Sequence, residues 1–193
     1  MTRPKSELYS KLSSSCSEDG LHEGSVYIPV GAVKNIITRD SIKAELARSS
    51  GNVISFSSCL ADKVVKKNAK KIFAILVYLK EPWDIKKMLN DGFADDDLPL
   101  SKDEHYGLCS ACDPKKIFVP DWETQTVDDF LLKQWMVLAP IFKIWGEYFV
   151  LNRKCLLPFS EVDGVKHSES SVIYRAKIHS FQQEGFEVSN TFV

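Results

Sequence analysis

Cys59-Leu60-Ala61-Asp62-Lys63-Val64-Val65-Lys66-Lys67-Asn68-Ala69-Lys70-Lys71-Ile72-Phe73-Ala74-Ile75-Leu76-Val77-Tyr78-Leu79 is the stretch that decides the fold class. Leu60, Val64, Val65, Ile72, Phe73, Ile75, Leu76 and Leu79 recur at three- and four-residue steps, the spacing of one helix face. Lys63, Lys66, Lys67, Lys70 and Lys71 hold the other side, a basic face able to attract phosphate or anionic lipid and most simply read as a solvated surface. From Ile72 onward the segment is apolar nearly all round, which puts its C-terminal half at the centre of the core. Glu81-Pro82 breaks the helix, because proline lacks the N–H donor and crowds the preceding turn. Trp83 to Asn90 then reads as a short helix that Gly92 terminates.

On the N-terminal side, Ile37, Ile42 and Leu46 predict a helix over Ile36 to Arg48. Residues 1–24 are Ser-rich with few apolar positions and read as a disordered, solvated tail in which Ser13, Ser14, Ser15 and Ser17 are candidate phosphorylation sites. On the C-terminal side, Phe93 to Trp122 has little periodicity and is punctuated by Pro99, Gly107, Pro114 and Pro120, so it reads as loop with a short strand at Ile117-Phe118-Val119. Asp95-Asp96-Asp97 within it reads as a surface turn or helix cap. A second strong helix starts at Thr126, with Asp129 placed for a capping box, and buries Val127, Phe130, Leu131, Trp135 and Leu138 before Pro140 kinks or ends it, the apolar stripe continuing over Ile141 to Trp145. Phe73, Leu76, Phe130, Leu131, Trp135 and Leu138 are expected to be buried together. Past Gly146 the chain turns β-rich, with segments at Tyr148 to Leu151 and Leu156-Leu157 and a hairpin whose strands lie near Glu161 to Lys166 and Val172 to His179. The fold class is therefore α+β: a helical region over residues 25–146 followed by a small antiparallel β fragment over 147–193.

That hairpin carries a family resemblance. Val165-Lys166-His167-Ser168-Glu169-Ser170-Ser171-Val172-Ile173-Tyr174-Arg175-Ala176-Lys177 resembles the nucleotide-loop hairpin at the start of a protein-kinase N-lobe, with Lys166, Ser168 and Ser171 at the positions of the three loop glycines and Ile173 opening the second strand. Lys71 to Val77, Asp95 to Leu100, Gln134 to Pro140, Leu156 to Phe159 and Tyr174 to His179 are similar to the helical region, and to the strand that follows it, in filamentous-fungal protein-kinase-like proteins. The likeness runs from about residue 25 to 193, and the sequence ends about where a third kinase strand would begin. It implies a fungal, intracellular protein-kinase-like chain whose nucleotide-loop positions are Lys166, Ser168, Ser171 and Ile173.

The residues themselves argue against phosphoryl transfer by this chain. Glycine lets the loop backbone approach the phosphates and visit positive φ, which side chains obstruct. A phosphate lysine, its glutamate partner, a catalytic-loop aspartate and a magnesium-binding aspartate cannot be placed; Thr38-Arg39-Asp40 and Asp91-Gly92-Phe93 only echo those motifs. No catalytic residue is assigned, and no cofactor is expected, ATP and Mg²⁺ entering only with a longer kinase-like product. Cys109-Ser110-Ala111-Cys112 with His105 four residues earlier is the candidate metal or redox site, although no second Cys pair follows to close a zinc site. The five cysteines at irregular spacing otherwise read as reduced thiols.

Lys+Arg of 25 against Asp+Glu of 26 leaves a net charge of −1, which gives no general affinity for nucleic acid. The apolar run Ile72 to Leu79 is too short to span a bilayer. With a polar N-terminus in place of a secretory signal, the sequence reads as cytoplasmic or nuclear. The function expected is a non-catalytic regulatory or interaction region, partnered by another protein or by a kinase-like domain. The alternatives are a fragment of a full-length serine/threonine kinase and a metal- or redox-binding module at Cys109 and Cys112.

Overall fold

Six consecutive buried residues, Ile72 to Val77, make one helix the axis of the molecule, since a helix apolar on every side has to be enclosed by others. The computed structural model describes residues 6–19, 24–50, 54–104, 107–143, 151–167 and 172–185. In chain order these form α1 (Glu7–Ser14), β1 (Ser17–Glu18), β2 (Val26–Tyr27), α2 (Val30–Ile36), α3 (Arg39–Ser50), α4 (Ile54–Lys66) and the axial α5 (Lys70–Leu79). There follow α6 (Ile85–Asn90), β3 (Leu100–Lys102), β4 (Leu108–Ser110), β5 (Ile117–Phe118), α7 (Thr124–Lys133), β6 (Phe142–Lys143), β7 (Phe159–His167), β8 (Val172–Ile178) and β9 (Gln183–Glu184). The architecture is α+β. α1, α2, α4, α6 and α7 all contact α5, and α3 packs on α4.

Phe73, Leu76 and Phe130 are fully buried in one core, with Leu131 and Leu138 partly buried against it and Trp135 buried nearby. The expected pairing of α5 with α7 is therefore present. α6 ends as read, with Gly92 at φ +82. An aromatic chain supports the same side: Phe93 meets Phe118 edge-on at 6.3 Å, Phe118 meets Trp122 at 5.6 Å, and Trp122 stacks on Phe130 at 5.9 Å.

Four expectations are corrected. The single helix over Cys59 to Leu79 is two helices, because Asn68 adopts a left-handed φ of +51 after Lys67, a conformation Asn tolerates at helix ends. Lys63, Lys66 and Lys67 are exposed as read, but the five lysines are divided between the two helices, and Lys67 Nζ donates to the Leu89 carbonyl at 2.8 Å and Lys70 Nζ to the Lys34 carbonyl at 3.3 Å. The tail reading fails over Glu7–Ser14, where α1 is capped by the Ser6 hydroxyl accepting from Tyr9 N–H and buries Leu8 and Leu12. Two apolar residues at an i, i+4 spacing suffice for a helix that docks on a preformed core. Tyr9 contacts Tyr78 of α5 edge-on at 5.1 Å, which places α1 against the axis. The long loop before Trp122 has its expected strand as β5, but β3 and β4 join it in a three-stranded antiparallel meander, with Leu100 opposite Ser110 and Leu108 opposite Phe118. Finally, α7 begins at Thr124 behind Glu123 with no side-chain cap, and Asp129 accepts from the Gln125 amide instead of forming a box with Thr126.

The C-terminal hairpin lies where its β-formers put it. β7 and β8 pair antiparallel from Phe159 opposite Ile178 to His167 opposite Val172, with irregularities between Ser160 and Asp163 and between Gly164 and Lys166. Glu161 at φ +50 marks the first of these. The strand expected at Tyr148 to Leu151 falls largely on 144–150, outside the described residues.

Candidate functional site

Two places carry the candidate residues, and the hairpin comes first. In the ladder Lys166 is the cross-strand partner of Ile173, so two of the four nucleotide-loop positions are adjacent on opposite strands. Their side chains, and all of Ser168 and Ser171, lie outside the described residues. What is described is how the hairpin is held. Ala176 and Ile178 of β8 are buried, and His179 stands edge-on to the buried Tyr27 at 6.1 Å. Burial holds the His179 imidazole below its usual range.

Gln182, one 3-10 turn past β8, is the fastening point. It is 1% exposed, and its amide makes three hydrogen bonds to the helical part. Its Oε1 accepts from Val30 N–H at the start of α2 (2.7 Å), while its Nε2 donates to the carbonyls of Ala139 (2.8 Å) and Pro140 (3.0 Å). These backbone groups sit at a helix start and beside a proline, where regular structure leaves donors and acceptors open. Beside it the Phe181 ring covers Gly31 so closely that a Cβ there would stand 2.8 Å from it. On the other flank, Leu157 N–H donates to the buried Asp19 carboxylate at 3.1 Å. Sequence reasoning missed Gln182, since a lone glutamine in a polar stretch gives no local signal.

The second place is the Cys109 to Cys112 turn at the end of β4. Cys109 Sγ lies 3.0 Å from the Ser101 hydroxyl across the β3–β4 ladder, and Cys112 Sγ lies 3.7 Å from the Asp96 carbonyl. The two thiols thus have separate partners. The organising residue is Ser110 between them, buried at 1% exposure. Its hydroxyl donates to Asp97 at 2.9 Å and accepts from the N–H groups of Cys112 (3.2 Å) and Asp113 (3.4 Å). His105 lies outside the described residues, and among those described no group of three His, Cys, Asp or Glu side chains is placed to hold a metal ion.

Of the acidic triplet behind this turn Asp96 is exposed, while Asp95 serves as the helix cap that the sequence offered as one reading and Asp97 is buried. Asp95 reaches back to α5, its carboxylate accepting from Lys71 N–H (2.9 Å) and Ile72 N–H (3.0 Å), while its own N–H donates to the Asn68 carbonyl at 2.8 Å. It caps a helix that has no cap of its own at Ala69. Burial pushes the Asp95 carboxyl up to about 6 against the pull of those two N–H groups and of Lys71. Burial likewise holds the Lys71 ammonium below its usual range, opposed by Asp95 and Asp96. Asp97 goes the other way. Burial would raise it, but Lys116 Nζ at 2.7 Å, Ala94 N–H at 2.8 Å and the Ser110 hydroxyl together hold its carboxyl below the usual range. Lys116 also lies over the Phe93 ring at 5.1 Å, so one cation ties the triplet to the aromatic chain.

Comparison with protein-family models, with curated proteins and with solved structures found no match.

Proposed function

We propose that this chain is a non-catalytic support and interaction region of a protein-kinase-like protein, in which the helical part holds the β7–β8 hairpin in one orientation for a protein partner. The observation that carries the reading is the Gln182 fastening, three hydrogen bonds from a buried amide to backbone of the helical part. A hairpin alone is marginal in water, and one clamped to a core presents a fixed surface. β7 and β8 form a two-stranded sheet, so among the described residues each strand keeps an open edge, the feature to which an extended segment of another chain adds by main-chain pairing. Lys166, Ser168 and Ser171 at the glycine positions support holding over nucleotide turnover. The separate partners of Cys109 and Cys112 support a structural role for that turn.

A thermal-shift titration with ATP–Mg²⁺ tests the proposal. A site filled at a hundred times its dissociation constant would add about 2.7 kcal/mol of stability. We expect no saturable shift, and hydrogen exchange at Ala176 to Ile178 that is slow in the monomer. Saturable stabilisation by nucleotide, or fast exchange through β8, would overturn it.

A further inference from the structure

A cleft of about 920 Å³ opens between the Gly24 to Val26 turn, α7 with the turn that follows it, and the Lys154 to Leu156 segment. Its walls are apolar: Val26, Leu131, Leu132, Met136 and Leu156 line it together with Trp135. Leu132 is 69% exposed, an apolar side chain on a helix face that no other described element covers. Trp135 is the reverse case. It is 8% exposed, and its indole N–H is the one buried side-chain polar group among the described residues with no hydrogen-bond partner. Buried indole N–H groups normally find an acceptor, because water given up on burial has to be replaced.

Volume, apolar walls and a lone unsatisfied donor are the attributes of a small-molecule site, in which apolar contact supplies affinity and a few polar groups fix orientation. The rim carboxylates do not compete for the role of anchor. Asp128 is paired with Lys102 at 2.9 Å, and Asp129 accepts from the Gln125 amide at 3.0 Å. Lys133 leans over the Tyr78 ring at 5.8 Å, and Lys154 stands at the mouth. Ser25 and Gln125 also line the cleft, and with the acids engaged the buried donor and the lysines favour an acceptor on the guest.

We propose that this cleft binds a small apolar molecule carrying one carbonyl or carboxylate oxygen, which accepts the Trp135 indole N–H while its hydrocarbon part covers Leu132 and Met136. The nitrogen has almost no exposed surface, so the oxygen reaches it through a small movement of the wall, for which the unbranched Met136 side chain is suited. The lining includes no residue of β7 or β8, and the site does not depend on the kinase-like reading.

Nuclear magnetic resonance of the full chain labelled with nitrogen-15 tests this. The Trp135 indole cross-peak is identified by its loss in Trp135→Phe, and octanamide and octanoate are titrated to about 5 mM, the weak end of specific binding. We expect both probes to move that indole proton downfield and saturably, and Trp135→Phe, with its fold checked by an unchanged backbone spectrum, to bind octanamide about 3- to 10-fold more weakly, the share of one hydrogen bond. Leu132→Arg, at a position exposed enough to leave the fold intact, should abolish binding of octanamide. An unmoved indole proton, equal octanamide affinity in Trp135→Phe, or binding of octanoate alone through the lysines would each overturn the proposal.

Discussion

Replacing Gln182 by alanine removes three hydrogen bonds at once and leaves Val30 N–H and the Ala139 and Pro140 carbonyls facing the cut. Each net hydrogen bond is worth about 1 kcal/mol, and each buried group left unsatisfied costs about 1–3 kcal/mol. Water entering the vacated space recovers part of this, so we expect a loss of about 2–4 kcal/mol. For a chain of this length that is a fall in Tm of about 4–16 °C. The loss should be local first, with faster hydrogen exchange at Ala176 to Ile178 than at Ile72 to Val77. Gln182→Glu adds a sign test. The introduced acid puts oxygen where the Nε2 donor faced two carbonyls, so its folded-state pKa must rise above the unfolded value of about 4.3. A raised carboxyl contributes most below its unfolded pKa and loses that contribution as pH rises through the folded pKa. Gln182→Glu should therefore approach the wild type near pH 4 and fall furthest behind it near pH 7. A cost under about 0.5 kcal/mol for Gln182→Ala, or parallel pH profiles for the two variants, would refute the fastening role.

Three further outcomes are expected. Phe73→Ala, at a fully buried site on α5, should cost about 3–5 kcal/mol in urea denaturation, and a loss below about 1 kcal/mol would mean that α5 is not the axis of the core. The Asp95 carboxyl is raised to about 6, so its stabilising contribution is full below its unfolded pKa and is lost as pH rises through about 6; the stability difference between wild type and Asp95→Asn should shrink from pH 4 to pH 7, and a difference that grows would place the carboxylate in a more favourable field than described. Gly31→Ala should destabilise the wild type through the Phe181 ring but gain up to about 1 kcal/mol from helix propensity in a Phe181→Ala background, and additive effects in this double-mutant cycle would show that the two do not touch.

What could be read from the sequence is what repeats locally. The apolar period of Ile72 to Leu79 announces the axial helix, the proline and glycine around α6 announce its ends, and the β-formers from Val172 to Ile178 announce the hairpin strand. What could not be read depends on partners distant in sequence. The cap on α5 comes from Asp95, more than a helix length away, so nothing near Asn68 distinguishes a broken helix from a continuous one. The β3–β4 strands are short and interrupted by turns, too brief for a period of two to show. For the candidate site the contrast is sharper. Cys109 and Cys112 attract attention by chemistry, yet Ser110 organises their turn through Asp97, and Gln182 fastens the hairpin without any motif at all.

The same fastening also sets an order of events. Val30 N–H, near the front of the chain, takes its acceptor from a residue 152 positions later, and Asp19 takes a donor from one 138 positions later. A ribosome emits the chain from the front, and domains made of such distant contacts fold late because the loop has to close before it is rewarded. The start of α2 thus stays exposed until Gln182 has been made, and the segment around Gln182 then seals it. Emergence of the segment that carries Gln182, more than any local step, should govern when the start of α2 becomes resistant to proteases.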